Sequence, residues 1–389
     1  MDHADTDLAG VLDHLRTLVG HDTTSLTPNL DLVTHVVDAL TGMAEVVEVQ
    51  PCDDGTRANV VARFGPAGPD GVVLSAHTDV VPVAGQVWHT DPFELVEDGD
   101  RLVGRGTTDM KGFIACLLDV APALAAADLR VPVWLALSHD EEIGAVGAER
   151  LAAWLAALDH PPTRVVVGEP TSMGVVNAHK SVRGHVATFH GRGGHSSQPE
   201  GGANALRAMV LLGAFIDEVA AEQREHRDDR FDPPYTTFNL AMATAGTALN
   251  IIPDRAELTF EYRALPDRDG PELADRIEEY ARDVVLPQLQ VTAPEASFDL
   301  GTQGILPALR ADNAAATESL VRTVLGGDEP AGTAPFGTDA ARFQDVGMSA
   351  VVCGPGDIGI AHRPNEWIAR EQLAACGRFL ADLVDHLAA

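Results

Sequence analysis

Residues 71–79, GVVLSAHTD, form an apolar run that stops on a histidine and an aspartate. A run of Val, Val, Leu and Ala bounded in this way reads as a strand buried on both faces. The same construction recurs. Residues 131–142, VPVWLALSHDEE, end on the pair Glu141–Glu142, and residues 164–172, RVVVGEPTS, bring Glu169 at their end. GRGTTDMKG, residues 104–112, carries Asp109, and GIAHRPNEW, residues 359–367, carries His362. Strands that each deliver an acid or an imidazole at one end place those groups on one rim of a sheet. That rim is where open α/β folds hold their ligands. Two imidazoles and several carboxylates suit a pair of divalent metal ions, most naturally zinc.

Helical spacing runs from about Leu8 to Leu40 with a break near Thr27–Pro28, followed by the extended segments VVEVQ and ANVVARF. MKGFIACLLDVAPALAAA and GAVGAERLAAWLAAL read as helices between the buried strands. This alternation predicts an α/β domain with a mostly parallel central sheet. Near Ser181 the pattern changes. HVATFHGRGG alternates like a half-exposed strand, and ALRAMVLLGAFIDEVAAEQ is amphipathic. YTTFNLAMATAG and RAELTFEYRAL read as antiparallel strands, and PELADRIEEYARDVVLPQL as a second amphipathic helix. That order predicts a ferredoxin-like α+β domain over 181–293, inserted into a catalytic domain made of 1–180 and 294–389. SAVVCGPG then resumes the buried-strand character, and EQLAACGRFLADLVDHLA reads as a C-terminal helix.

The length of 389 residues fits two domains, and 45% hydrophobic with 22% charged residues is ordinary for a soluble protein. No apolar run is long enough for a membrane span, and the acidic start MDHADTDLAG lacks the features of a signal peptide. Cys52, Cys116, Cys353 and Cys376 form no CxxC pair, which predicts buried thiols in a reducing compartment and a cytoplasmic location. A net charge of −31 disfavours nucleic acid and anionic membranes as partners and reads as a solubility feature. Lys111 and Lys180 are the only lysines.

Each site residue has a plainer alternative. His77 can be a surface residue after its strand. Asp79, two residues on, can accept a hydrogen bond from the ring nitrogen of His77 that faces away from a metal. Asp109 can be the N-cap of the next helix. The Glu141–Glu142 pair can complement a helix dipole, although adjacent side chains diverge, so one can hold metal while the other faces water. Glu169 is held at its strand end by Pro170, and His362 lies in a Gly/Pro-rich loop. His195, in GRGGHSSQP, reads by itself as a turn histidine.

From LSAHTDVVP through RGTTDMKG, DEE, GEPTS, GGHSSQP and LNIIP to FGTDA and HRPNEW, the chain resembles the M20 family of co-catalytic zinc amidohydrolases and metallopeptidases. The resemblance implies that Asp109 bridges two metal ions, zinc or cobalt, per subunit. His77 and Glu169 would complete one site, and Glu142 and His362 the other. Glu141 would be the general base and acid, and Asp79 would orient His77. The resemblance also implies a cis peptide between Asp109 and Met110, a homodimer built on the inserted domain, and His195 reaching the partner's active site. It implies substrate contacts at Asn250, Arg263, Gly337 and Thr338. An arginine fork suits a substrate carboxylate, although Arg263 also reads as an exposed strand residue. Within the family the likeness is greatest to enzymes that remove acetate from N-acetyl-L-ornithine in arginine biosynthesis. Removal of succinate from N-succinyl-diaminopimelate, or broader N-acyl amino acid or peptide hydrolysis, are the alternatives. A non-catalytic binding protein is disfavoured, because Glu141 and every implied ligand are present. Asp339 stands where the acetylornithine enzymes usually show Glu.

Overall fold

In the computed structural model, residues 8–268 and 270–389 are described, and the acidic start of the chain, residues 1–7, lies outside them. The chain opens with α1 (Ala9–Val19), α2 (Leu30–Leu40), β1 (Val46–Pro51), β2 (Ala58–Phe64), β3 (Val72–His77), β4 (Val96–Asp98) and β5 (Arg101–Val103). It continues with α3 (Gly112–Ala126), β6 (Val133–Ser138), α4 (Val146–Ala156), β7 (Arg164–Val167) and β8 (Val176–His179). Next come β9 (Val182–His190), β10 (Gly194–His195), α5 (Ala205–Gln223), β11 (Thr237–Ala245), β12 (Ile251–Ile252), β13 (Arg255–Arg263), α6 (Glu272–Tyr280), α7 (Leu286–Gln290) and β14 (Ser297–Leu306). The chain closes with α8 (Ala315–Leu325), β15 (Gly332–Ala334), α9 (Ala340–Asp345), β16 (Ser349–Val352), β17 (Trp367–Ala369) and α10 (Arg370–Ala388).

Eight strands form the main sheet in the order β1-β2-β6-β3-β7-β16-β8-β15. Its centre, β6-β3-β7-β16, is parallel throughout, while β1 and β2 join antiparallel at one side. The mostly parallel α/β architecture is therefore the expected one. Helices cover both faces, which explains why the strands read as unbroken apolar runs. Val73, Trp134, Val165 and Val352 belong to one core with Leu151, Leu155 and Phe343. Their pleat neighbours Leu74, Leu135, Val166 and Val351 belong to the other, with Leu15, Phe113 and Leu380.

A second compact unit comprises His179–Ala308 and Ala334–Gly337. Its sheet has the order β11-β13-β9-β14, and every pairing is antiparallel. With α5 between β9 and β11 and α6 between β13 and β14, this is the ferredoxin-like βαββαβ arrangement. Phe189, Leu258, Phe260 and Phe298 meet Leu212, Ile216 and Ile277 in its core.

The unit ends later in the chain than the expected 293. β14 lies along β9 from Ser297↔His190 to Leu306↔Val182, with a register shift between Thr302 and Ile305. Gly301 and Gly304 flank that shift and blunt the alternation that would mark a strand. Within this unit Lys180 is buried, and its Nζ donates to the carbonyl oxygens of Pro233 and Tyr235 at 2.8 and 2.6 Å. No helix among the described residues is long and apolar enough to cross a membrane.

Candidate metal centre

The C-terminal ends of the parallel strands supply the site. β3 ends on His77, β6 is followed after His139 by Asp140–Glu142, and β7 is followed after Gly168 by Glu169. Asp109 comes from the segment between β5 and α3, and His362 from the loop between β16 and β17. His77 Nε2 lies 3.0 Å from Asp109 Oδ1 and 3.5 Å from Glu169 Oε1. His362 Nε2 lies 3.1 Å from Asp109 Oδ2 and 3.0 Å from Glu142 Oε1. Asp109 therefore turns one carboxylate oxygen toward each imidazole.

The plainer readings can now be decided for two positions. α3 begins at Gly112 with Lys111 before it, so Asp109 is not its N-cap. α4 begins at Val146, so Glu141 and Glu142 lie in the preceding turn, outside its first turn. Asp140, just before that turn, has a left-handed φ of 55°. Asp140 is held there by Leu26 N, Arg57 Nη1 and His139 Nδ1, at 2.9, 2.7 and 2.8 Å. The peptide between Asp109 and Met110 is cis, as the family resemblance implies.

Asp79 works differently from the expected orienting carboxylate. The nearer partner of His77 Nδ1 is the main-chain oxygen of Asp79 at 2.9 Å, with the carboxylate 3.6 Å away. The carboxylate accepts instead from the main-chain N–H groups of Glu141 and Glu142 at 2.9 and 3.3 Å, and from Ser25 Oγ at 2.7 Å. One residue thus sets the imidazole through its backbone and the acid pair through its side chain. Asp339 is a buried member whose place near these acids was not legible from its position in FGTDA. It accepts from Ser138 Oγ at 2.7 Å, and burial raises its carboxyl to about 6.

Of the remaining predicted residues, His195, Asn250, Arg263 and Gly337 belong to the second unit. His195 and Asn250 sit on neighbouring exposed turns of the second unit, where β10 pairs with β12 and Ser196 N donates to Asn250 O. His195 Nδ1 lies 2.7 Å from Ser197 Oγ. Arg263, half-buried on β13, donates to Glu261 at 3.2 Å. Gly337 belongs to the second unit, where an added Cβ would meet Leu306 at 2.3 Å. Thr338, in the first unit, is buried, and its hydroxyl accepts from Ala340 N.

Burial dominates the electrostatics of the rim. It pushes the carboxyls of Glu141 and Glu169 well above their ordinary range, reinforced by Glu169 and Asp109 respectively. Glu142 rises to about 7, through burial and then the neighbouring Asp109. Burial opposes charge on His77, but Asp109 and Glu169 outweigh it and hold the imidazole well above its ordinary value. His362 is raised to about 10 by its contacts with Asp109 and Glu142. So many buried acids around two imidazoles require protons or cations for balance.

The donor set fits divalent cations of the zinc type. Ligand atoms of His77, Glu141 and Glu169, and of His77, Asp109 and Glu142, lie within 4.8 Å of one another. The raised values have a measurable consequence. Groups that hold protons in the metal-free protein must release them to become ligands. Metal uptake at neutral pH is therefore expected to expel protons, with affinity rising as pH climbs through about 7 for Glu142 and toward about 10 for His362. Calorimetry in buffers of different ionisation enthalpy checks this. Buffer-independent heats and a pH-independent affinity would contradict it.

The comparisons with known proteins define the class as a metal-dependent hydrolase. The sequence model of peptidase family M20/M25/M40 matches residues 73–386, and the chain belongs to that family. An acetylornithine deacetylase of Myxococcus xanthus is 34% identical over 383 residues, covering 96% of each chain. An M20 family metallo-carboxypeptidase from Sulfolobus solfataricus shares the fold with a TM-score of 0.72 at 19% identity, over 100% of both chains. A dinuclear metal-binding M20 peptidase of Bacillus subtilis does so with a TM-score of 0.67 at 18% identity, over 96% of each.

Proposed function

We propose that this protein is a di-metal hydrolase that cleaves the amide of an N-acyl amino acid, converting N-acetyl-L-ornithine to L-ornithine and acetate in arginine biosynthesis. His77, Asp109 and Glu169 would hold one ion, and His362, Asp109 and Glu142 the other, with zinc the natural choice and cobalt a working substitute. The observation that carries this reading is Asp109, whose two oxygens face the two imidazoles at 3.0 and 3.1 Å. Divalent ions held there supply Lewis acidity, which polarises an amide carbonyl and acidifies water.

Glu141 does the proton work. In its ionised form the buried carboxylate takes a proton from the attacking water as the C–O bond forms, and its raised affinity for protons suits it to hold that proton and pass it to the amine nitrogen as the C–N bond breaks. Asp79 supports this by holding the main chain of Glu141 and Glu142. Asn250 and Arg263 are proposed to bind the substrate carboxylate, with Gly337 and Thr338 contacting substrate through backbone and hydroxyl groups.

The likeness to the Myxococcus deacetylase supports N-acetylornithine. The likeness to a carboxypeptidase keeps a peptidase reading in view. Steady-state kinetics on N-acetyl-L-ornithine, N-succinyl-diaminopimelate, N-acetylmethionine and a dipeptide, with added zinc or cobalt, separate these. The proposal expects the highest kcat/KM on N-acetyl-L-ornithine and fails if another substrate leads. The free cysteines suit a reducing cytoplasm.

The proposed assembly is a homodimer through the second unit. Its edge strand β11 leaves Leu240 and Met242 exposed, and α5 leaves Val210 exposed, which supports a partner there. In that dimer His195 would donate to the oxyanion in the partner's site. Mixing His195→Ala with Glu141→Ala subunits is then expected to restore part of the activity that each lacks. No recovery despite demonstrated subunit exchange would remove the composite site.

A further inference from the structure

Arg105 and Glu366 form a buried ion pair that touches none of the proposed metal-binding side chains. Each is only 1% exposed, and Arg105 Nη1 donates to Glu366 Oε2 at 2.6 Å. Burying two charges is costly unless both are fully engaged, so their remaining partners carry the meaning. Glu366 Oε1 accepts from the main-chain N–H groups of Thr108 and Asp109, at 2.9 and 3.1 Å. Arg105 Nη2 donates to Gln86 Oε1 at 2.6 Å, and Gln86 Nε2 donates to the main-chain oxygen of His362 at 3.0 Å. Trp88 donates its indole N–H to the same Gln86 oxygen, and the Arg105 guanidinium lies 5.1 Å from its ring centre. One end of this chain of contacts finishes on the backbone of Asp109. The other finishes on the backbone of His362, a residue with a left-handed φ of 63° on a surface loop.

We infer that Glu366, Arg105 and Gln86 are positioning residues that fix the separation of Asp109 and His362 and thereby set metal affinity, Gln86 and Arg105 at the position that His362 serves and Glu366 at both. The inference rests on the ligand set proposed above. Loops do not hold an imidazole against a carboxylate by themselves, and here the guanidinium fork spans the gap. Glu366 bears on Asp109, which serves both positions. Gln86 bears on His362, which serves one. The frame therefore predicts asymmetric damage, which a general loss of stability would not produce.

The test uses the full-length chain stripped of metal, zinc as the probe, and competition with a chromogenic chelator to resolve two binding events. Gln86 is half-buried, and Gln86→Glu keeps an acceptor for Arg105 while losing the donor to His362. It is expected to weaken one event by about 10- to 100-fold, the usual cost of losing a group that orients a ligand, and to leave the other unchanged. Glu366→Gln should weaken both. Arg105→Lys, which keeps the charge and loses the fork, should follow Gln86→Glu, and thermal unfolding of the metal-free variants checks that each is folded. Unchanged affinity for both events in Gln86→Glu, or equal weakening of both, overturns the frame. The ligand reading itself fails, and the frame with it, if the unmodified chain binds no zinc or if His362→Ala still binds two ions with full affinity.

Discussion

Glu141→Ala is expected to bind two equivalents of metal and to lose hydrolysis by about 10²- to 10⁴-fold, the range spanned by a positioned general base. The Asp79 carboxylate, accepting from the main-chain N–H of Glu141, holds that residue at the rim, where burial keeps its carboxyl able to accept and return a proton. The variant deletes that proton relay while leaving His77, Asp109, Glu142, Glu169 and His362 in place. Metal analysis beside kcat/KM makes the test decisive. Because Glu141 also stands within ligand distance of His77 and Glu169, loss of one metal equivalent would reassign it as a ligand. Full activity would remove it from the mechanism.

Asp109→Ala is expected to eliminate both metal-binding events and all metal-dependent activity, whereas His362→Ala should eliminate one event. No other proposed ligand faces both imidazoles, so no other single truncation strips both positions at once. Stability gives a second readout. A ligand bound only by the folded chain, at a thousandfold excess over its dissociation constant, stabilises it by about 4 kcal/mol per site. Metal should therefore raise the Tm of the unmodified protein and leave that of Asp109→Ala unmoved. A metal-dependent Tm in Asp109→Ala would count against the shared ligand.

Much of this site was legible because its strands are covered on both faces. Such strands are mostly apolar, so the His, Asp and Glu residues at or just beyond the ends of VVLSA, VWLALS and RVVVG stand out as candidates for chemistry. Contacts made through backbone atoms were not legible. Nothing in HTD indicates that the Asp79 carboxylate serves the N–H groups of Glu141 and Glu142. Arg105 and Glu366 stood within quoted motifs, yet their pairing spans the chain and leaves no local spacing to read. The unit boundary was misplaced for a related reason: β14 is defined by its long pairing with β9, while its own glycines hide its period.

The two imidazoles differ in one respect with consequences outside catalysis. The side chain of His77 is 1% exposed, and that of His362 is 50% exposed. In the proposed arrangement an ion beside His362 is therefore expected to exchange faster than one beside His77. Turnover in a growing cell would then follow the free concentration of the metal at that open position. A shortage would silence the enzyme reversibly, without unfolding it, and resupply would restart it without new synthesis.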